Sequence, residues 1–173
     1  MNTHTTVSIK SISDQGTFSG HAAIFNVPDI SGEQIAPGAF KDGLKKRNST
    51  MPLLMSHDTK TPIGIFTKVQ EDATGLYVEG ELNLDIIAGK EAYSLLRQGA
   101  LTGLSIAFIA DDYVLNRDGS RTITKATLVE ISLTPIPAQA MAQVTSVRSV
   151  QADEPTEDWE CILTALRGFV NTE

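Results

Sequence analysis

The sequence is short of the residues that most directly announce chemistry. Its 173 residues hold one cysteine, Cys161, which excludes an internal disulfide framework and any multi-cysteine metal site. The three histidines, His4, His21 and His57, lack the spacing of a zinc-binding pair. No apolar run approaches the roughly 18 residues a membrane helix needs. The first residues also lack the basic-then-apolar layout of a signal peptide. Positive charge is scarce, with 14 Lys and Arg against 21 Asp and Glu and a net charge of −7. Nucleic-acid binding needs a basic face, and the one basic cluster, Lys45–Arg47, reads as a solvated helix end. The expectation is a soluble cytoplasmic chain without metal, cofactor, membrane or nucleic-acid partner.

The chain is about one domain long, enough for a core without staples. Charge divides it unevenly. From Gln151 onward there are six acidic residues and one basic, against 15 and 13 in the first 150. A body over 1–148, an acidic linker over 149–157 and an amphipathic helix over 158–173 follow from that shift. Trp159, Ile162, Leu163, Leu166, Phe169 and Val170 share one helical face. Such a helix docks on its own domain or meets a partner, and the pattern fits both.

Strand signals dominate the body. They cover "TVSIKSI", "TFSGHAAIF", "PLLMS", "PIGIFTKVQ", "GLYVEGELNL", "GLSIAFIADDYVL" and "RTITKATLVEISL". "EDATG" and "NRDGS" supply hairpin turns. "DTKTPIG" reads as a polar turn after His57, and the prolines of "TPIPA" as the close of the sheet region. Two helices interrupt the strands: "PGAFKDGLKKRN", with Pro37 in its first turn, and "AGKEAYSLLRQG", with Gly99 as a left-handed terminator.

Ser105 lies among Leu104, Ile106 and Phe108, residues that a sheet would bury. A serine becomes a nucleophile when an imidazole accepts its proton and a third group orients that imidazole. His4 sits in a frayed terminus, and His21 alternates with apolar residues on a face that can simply be wet. His57 ends an apolar strand, where a rigid element would present it. In "LVEISL" the alternation groups Leu128, Glu130 and Ser132 on one face and Val129, Ile131 and Leu133 on the other. Glu130 is either a carboxylate that burial forces to find a partner or a solvent-facing residue of a one-sided sheet. Spacing alone leaves both readings open.

The order of motifs resembles the tailed-phage prohead maturation proteases, serine proteases of capsid assembly related in fold to the herpesvirus assembly protease. The matching segments, in order, are "FSGHAAIFN", "GEQIAPGAF", "PLLMSHDTKTPIGIF", "DATGLYVEGELNL", "YSLLRQGALTGLSIAF" and "LVEISLTPIPAQ". The resemblance covers about residues 5–145, most of the chain. The resemblance implies an α+β fold with a mainly antiparallel, barrel-like sheet and a few flanking helices, making 1–148 the catalytic domain. It implies Ser105 as nucleophile, His57 as general base and acid, and Glu130 as the group orienting His57. Relatives commonly carry glycine two residues after the serine, where this chain has Ala107. The implied substrate is a scaffold protein or the scaffolding segment of a capsid protein, cut inside the assembling procapsid in the host cytoplasm. Self-association is implied by the herpesvirus kinship alone. Oxyanion donors are not identifiable; the N–H groups beside Ser105, the "TPIPAQ" loop and Arg97 are candidates. Two other readings stand beside the protease: a non-catalytic capsid or scaffold assembly module, and a binding β-domain whose motifs are packing residues.

Overall fold

The computed structural model describes residues 16–45 and 50–147. The strand expected over 6–12, His4, and the linker and helix expected after 148 lie outside the described residues. The elements run β1 (Thr17–Ile24), β2 (Gln34–Ile35), α1 (Lys41–Lys45), β3 (Met51–Met55), β4 (Asp58–Glu71), β5 (Gly75–Leu82), α2 (Ile87–Gln98), β6 (Gly103–Leu115), β7 (Arg121–Thr134) and β8 (Val144–Val147).

Seven strands form one sheet in the order β6-β7-β3-β4-β5-β1-β8, and β2 pairs with the far end of β7. Pairing is antiparallel except for β2–β7 and β3–β7, which are parallel. The architecture is α+β, mostly sheet with two helices among the described residues. It corrects the barrel-like expectation, because the sheet is not closed. Its two ends approach through an isolated bridge between Gly103 and Gln143 and the bonds Leu104 N–H to Ala142 O and Val144 N–H to Thr102 O. β8 is four residues long, too short to zip the remaining edge of the thirteen-residue β6.

Alternation builds the core. Leu104 and Ile106 on β6 face Leu133 and Ile131 on β7, and the fully buried Leu53, Ile63, Leu76 and Val78 close the layer. Each such buried side chain contributes about 1.5–3 kcal/mol relative to exposure. α2 lays Gly89, Ala92 and Leu96 on the sheet and ends at Gly99, whose φ of 83° only glycine adopts without cost. Gly20 lets β8 approach, since a Cβ there would stand 2.3 Å from the Gln143 carbonyl oxygen.

Three further sequence expectations are corrected. "DTKTPIG" is the start of β4, and the turn before it consists of Ser56 and His57 alone. "TPIPA" interrupts the sheet without closing it, because β8 returns to pair with β1. The first helix starts at Lys41 and not at Pro37, because Pro37–Phe40 form a turn; Gly38, with a φ of 91°, holds that stretch out of the helical conformation. The part of the helix expected after Lys45 lies outside the described residues.

Candidate active site

The parallel pairing of β3 with β7 creates the site. Leu53, Leu54 and Met55 align with Ile131, Ser132 and Leu133, and the Ser56 N–H continues the ladder to Leu133 O. The chain then reverses in two residues, because Met55 pairs directly with Asp58. Ser56 and His57 both take positive φ, 47° and 64°. That is the conformation of a type I′ hairpin turn, which usually selects asparagine and glycine. Here it throws an imidazole over the face of β7 that carries Glu130 and Ser132.

Two bonds hold the histidine. Its Nδ1 lies 2.5 Å from Glu130 Oε1, and its backbone N–H donates to Ser132 Oγ at 2.9 Å. The Ser132 hydroxyl donates in turn to Glu130 Oε2 at 2.7 Å. The bonded groups form a closed loop around one buried carboxylate. A carboxylate only accepts, so Nδ1 carries the proton and Nε2 is left with the free lone pair. Asp58, the adjacent carboxylate, takes no part. The Thr61 hydroxyl and then the Lys60 N–H hold it below its ordinary value and tie it to its own strand.

Ser105 joins by register. It sits opposite Ser132, and Ala107 opposite Glu130. Directly paired residues project from the same face, with neighbouring pairs about 7–8 Å apart on the diagonal. Ser105, Glu130 and Ser132 therefore share the face over which His57 is turned, and all three are buried. The structure brings His57 and Glu130 into contact and sets Ser105 beside them through strand pairing rather than through a hydrogen bond to either. Glu130 is 9% exposed, which decides against a wet strand position. A narrow cleft of about 40 Å³ opens beside Ser105 between Ala22, Ala23, Ile35, Leu104 and Gln139. A wider surface hollow of about 820 Å³, lined by Pro62, Glu81, Asn83 and Asp85 among others, holds none of these residues.

A bulge refines the sequence reading of "LVEISL". Phe108 pairs with Leu128 while Ala107 pairs with Glu130, so Val129 is the extra residue. The slip turns Leu128 into the core and leaves Val129 half exposed, the reverse of strict alternation.

The other candidates lie elsewhere. His21 bonds Asp72 through Nε2 at 2.8 Å and meets the edge of Tyr77. Arg97 stacks over Tyr93, 5.7 Å from its centroid. Gln139, in the "TPIPAQ" loop, is clasped by the backbone of Ile24 and Val27. Its buried amide fixes that loop to the end of β1. Among the described residues no group of three or more His, Cys, Asp or Glu could hold a metal ion, and no helix is long and apolar enough to cross a membrane.

Residues 4–155 match the family model described as Caudovirus prohead serine protease. The chain belongs to that family. Among its relatives in the prohead serine protease family is the prohead protease of Enterobacteria phage HK97, 32% identical over 149 residues that cover 84% of this chain and 66% of the relative. The capsid polyprotein of Pseudomonas phage PAJU2 is 26% identical over 159 residues, 87% of this chain and 23% of that one. The chain thus spans just under two thirds of the first relative's length and about a quarter of the second's. Two solved structures share the fold. The bacteriophage T4 capsid assembly protease has a TM-score of 0.56 at 11% identity, over 68% of this chain and 80% of that one. The KSHV protease in complex with a hexapeptide phosphonate inhibitor has a TM-score of 0.54 at 14% identity, over 74% and 63%.

Proposed function

We propose that this member of the prohead serine protease family hydrolyses peptide bonds with Ser105 as nucleophile, His57 as base and acid, and Glu130 as the group that orients His57. The observation that carries the reading is the His57–Glu130 bond on the face that Ser105 shares. Glu130 fixes the tautomer in which Nε2 accepts a proton. The Ser105 hydroxyl passes its proton to that nitrogen as Oγ attacks the scissile carbonyl carbon. The imidazolium then protonates the departing amine, leaving an ester on Ser105. Water, activated by the same nitrogen, releases the acid product and restores the hydroxyl. The negative charge on Glu130 stabilises the imidazolium while it lasts.

The names of the relatives, a prohead protease and a capsid polyprotein, support a capsid or scaffold chain as substrate. They also support an assembling procapsid in the host cytoplasm as the place of action. The test is acylation by a fluorophosphonate probe, followed by cleavage of the neighbouring capsid or scaffold chain. Label mapped to Ser105, absent from a folded Ser105→Ala variant, together with fragments of the second chain, is the expected result. A folded parent protein that takes no label at Ser105 overturns the reading and leaves the assembly module in its place.

A further inference from the structure

We propose that Ser132 is a positioning residue of the proteolytic site, acting through both the base and the carboxylate that orients it. The inference rests on the reading of Ser105, His57 and Glu130 given above and adds a member to it. Ser132 is completely buried, and its hydroxyl makes two bonds at once. It accepts the His57 backbone N–H at 2.9 Å and donates to Glu130 Oε2 at 2.7 Å.

Both connections matter for the same reason. His57 occupies a left-handed turn position, φ 64°, which costs a non-glycine residue about 1–2 kcal/mol. The N–H bond to Ser132 is a fixed restraint on that strained residue from outside its own hairpin. Glu130 offers two oxygens, one to His57 Nδ1 and one to Ser132, so the hydroxyl stops the carboxylate from rotating about its terminal torsion. Such torsions are broad when nothing holds them. Ring and carboxylate are thereby registered to each other and to β7. Because Ser132 lies directly opposite Ser105 in the β6–β7 ladder, the same strand pair sets the height of the nucleophile. Nothing in the arrangement requires Ser132 to touch a substrate.

The experiment compares the parent protein with Ser132→Ala and Ser132→Cys. The cysteine variant fills similar space with a weak donor and carries the test should the alanine variant not fold. Two readouts are taken on protein whose melting temperature has been checked. The first is fluorophosphonate inactivation, separated into its limiting rate and its half-saturation concentration. The second is the hydrogen-bonded Nδ1–H proton resonance of His57, which does not depend on catalysis. The expected result is a limiting rate lower by about tenfold or more, an unchanged half-saturation concentration, and an Nδ1–H signal shifted or broadened. Folded variants with the parent's limiting rate and the parent's resonance overturn the positioning role. A parent protein that shows no label at Ser105 would fail the proposed function instead, while the resonance comparison would still decide whether Ser132 orders the His57–Glu130 pair.

Discussion

Replacing Glu130 by glutamine tests the site because one proton determines how the amide must sit. The Ser132 oxygen already accepts from the His57 N–H, and its own proton goes to Glu130 Oε2. In Glu130→Gln that proton still needs an acceptor in a fully buried place, so the amide oxygen turns toward Ser132. The amide NH₂ is then left facing His57 Nδ1, which can accept its hydrogen only by moving the ring proton to Nε2. A ring in that tautomer cannot take a proton from Ser105. Loss of a charge-assisted hydrogen bond alone would be worth about 1.5–3 kcal/mol, or roughly 13- to 160-fold in rate. Holding the histidine of a serine-protease triad in the wrong tautomer costs about 10⁴-fold. The larger loss is therefore expected in the limiting rate of Ser105 acylation by a fluorophosphonate. A second, less usual outcome follows from the same proton. Adding Ser132→Ala to Glu130→Gln removes the group that dictates the amide orientation, so the double variant should acylate faster than Glu130→Gln alone. A single variant reduced by only tens of fold, or a double variant slower than the single, would refute this account of the loop.

Three other outcomes are expected. Ser56→Gly should raise stability in urea unfolding by about 0.5–1 kcal/mol, because glycine meets the φ of 47° without strain but gives up more unfolded-state freedom; an equal or lower midpoint would show that the turn is not strained at Ser56. Leu53→Ala, at a fully buried position of β3 three residues before Ser56, should cost about 2–5 kcal/mol, read by the same titration, with acylation slowed wherever the protein is still folded. Stability should fall as pH drops below about 4. Burial works to raise the Asp72 carboxyl, but the bonds from Gly75 N–H, the His21 ring and Thr74 N–H hold it below its usual 3.8. A lowered folded value means stabilisation present above the unfolded value and lost as pH falls through the folded one, so thermal melts of Asp72→Asn between pH 5 and 2 should be flatter than those of the parent.

Much of the sheet was legible from the residues. β6 covers "GLSIAFIADDYVL", the run that alternation and the Asp118–Gly119 turn mark out, and Gly99 ends α2 where a left-handed cap belongs. β2 and β8 escaped because two and four residues give alternation too little length to register. The turn at Ser56–His57 escaped for a chemical reason: it carries no glycine or asparagine, so the polar residues after it look like the turn instead. At Val129 one inserted residue inverted the faces upstream, and a bulge leaves no trace in a pattern of period two. The meeting of His57 with Glu130 could not come from spacing, since it depends on a parallel pairing between strands 73 residues apart. Resemblance to a family pointed to it. Ser132 had no signal of its own, because a buried strand serine looks like any other until its two partners are seen.

The two-residue reversal at Ser56–His57 leaves the imidazole without a loop of its own. In many enzymes a base rides on a segment that can lengthen, shorten or swing as lineages diverge. Here one residue inserted or deleted between Met55 and Asp58 would either break the β3–β4 ladder or carry the ring to the opposite surface of the sheet. Variation in this chain therefore has to enter elsewhere, such as the far end of the β6–β7 hairpin, and the spot above Glu130 can hold a histidine only at a single chain length.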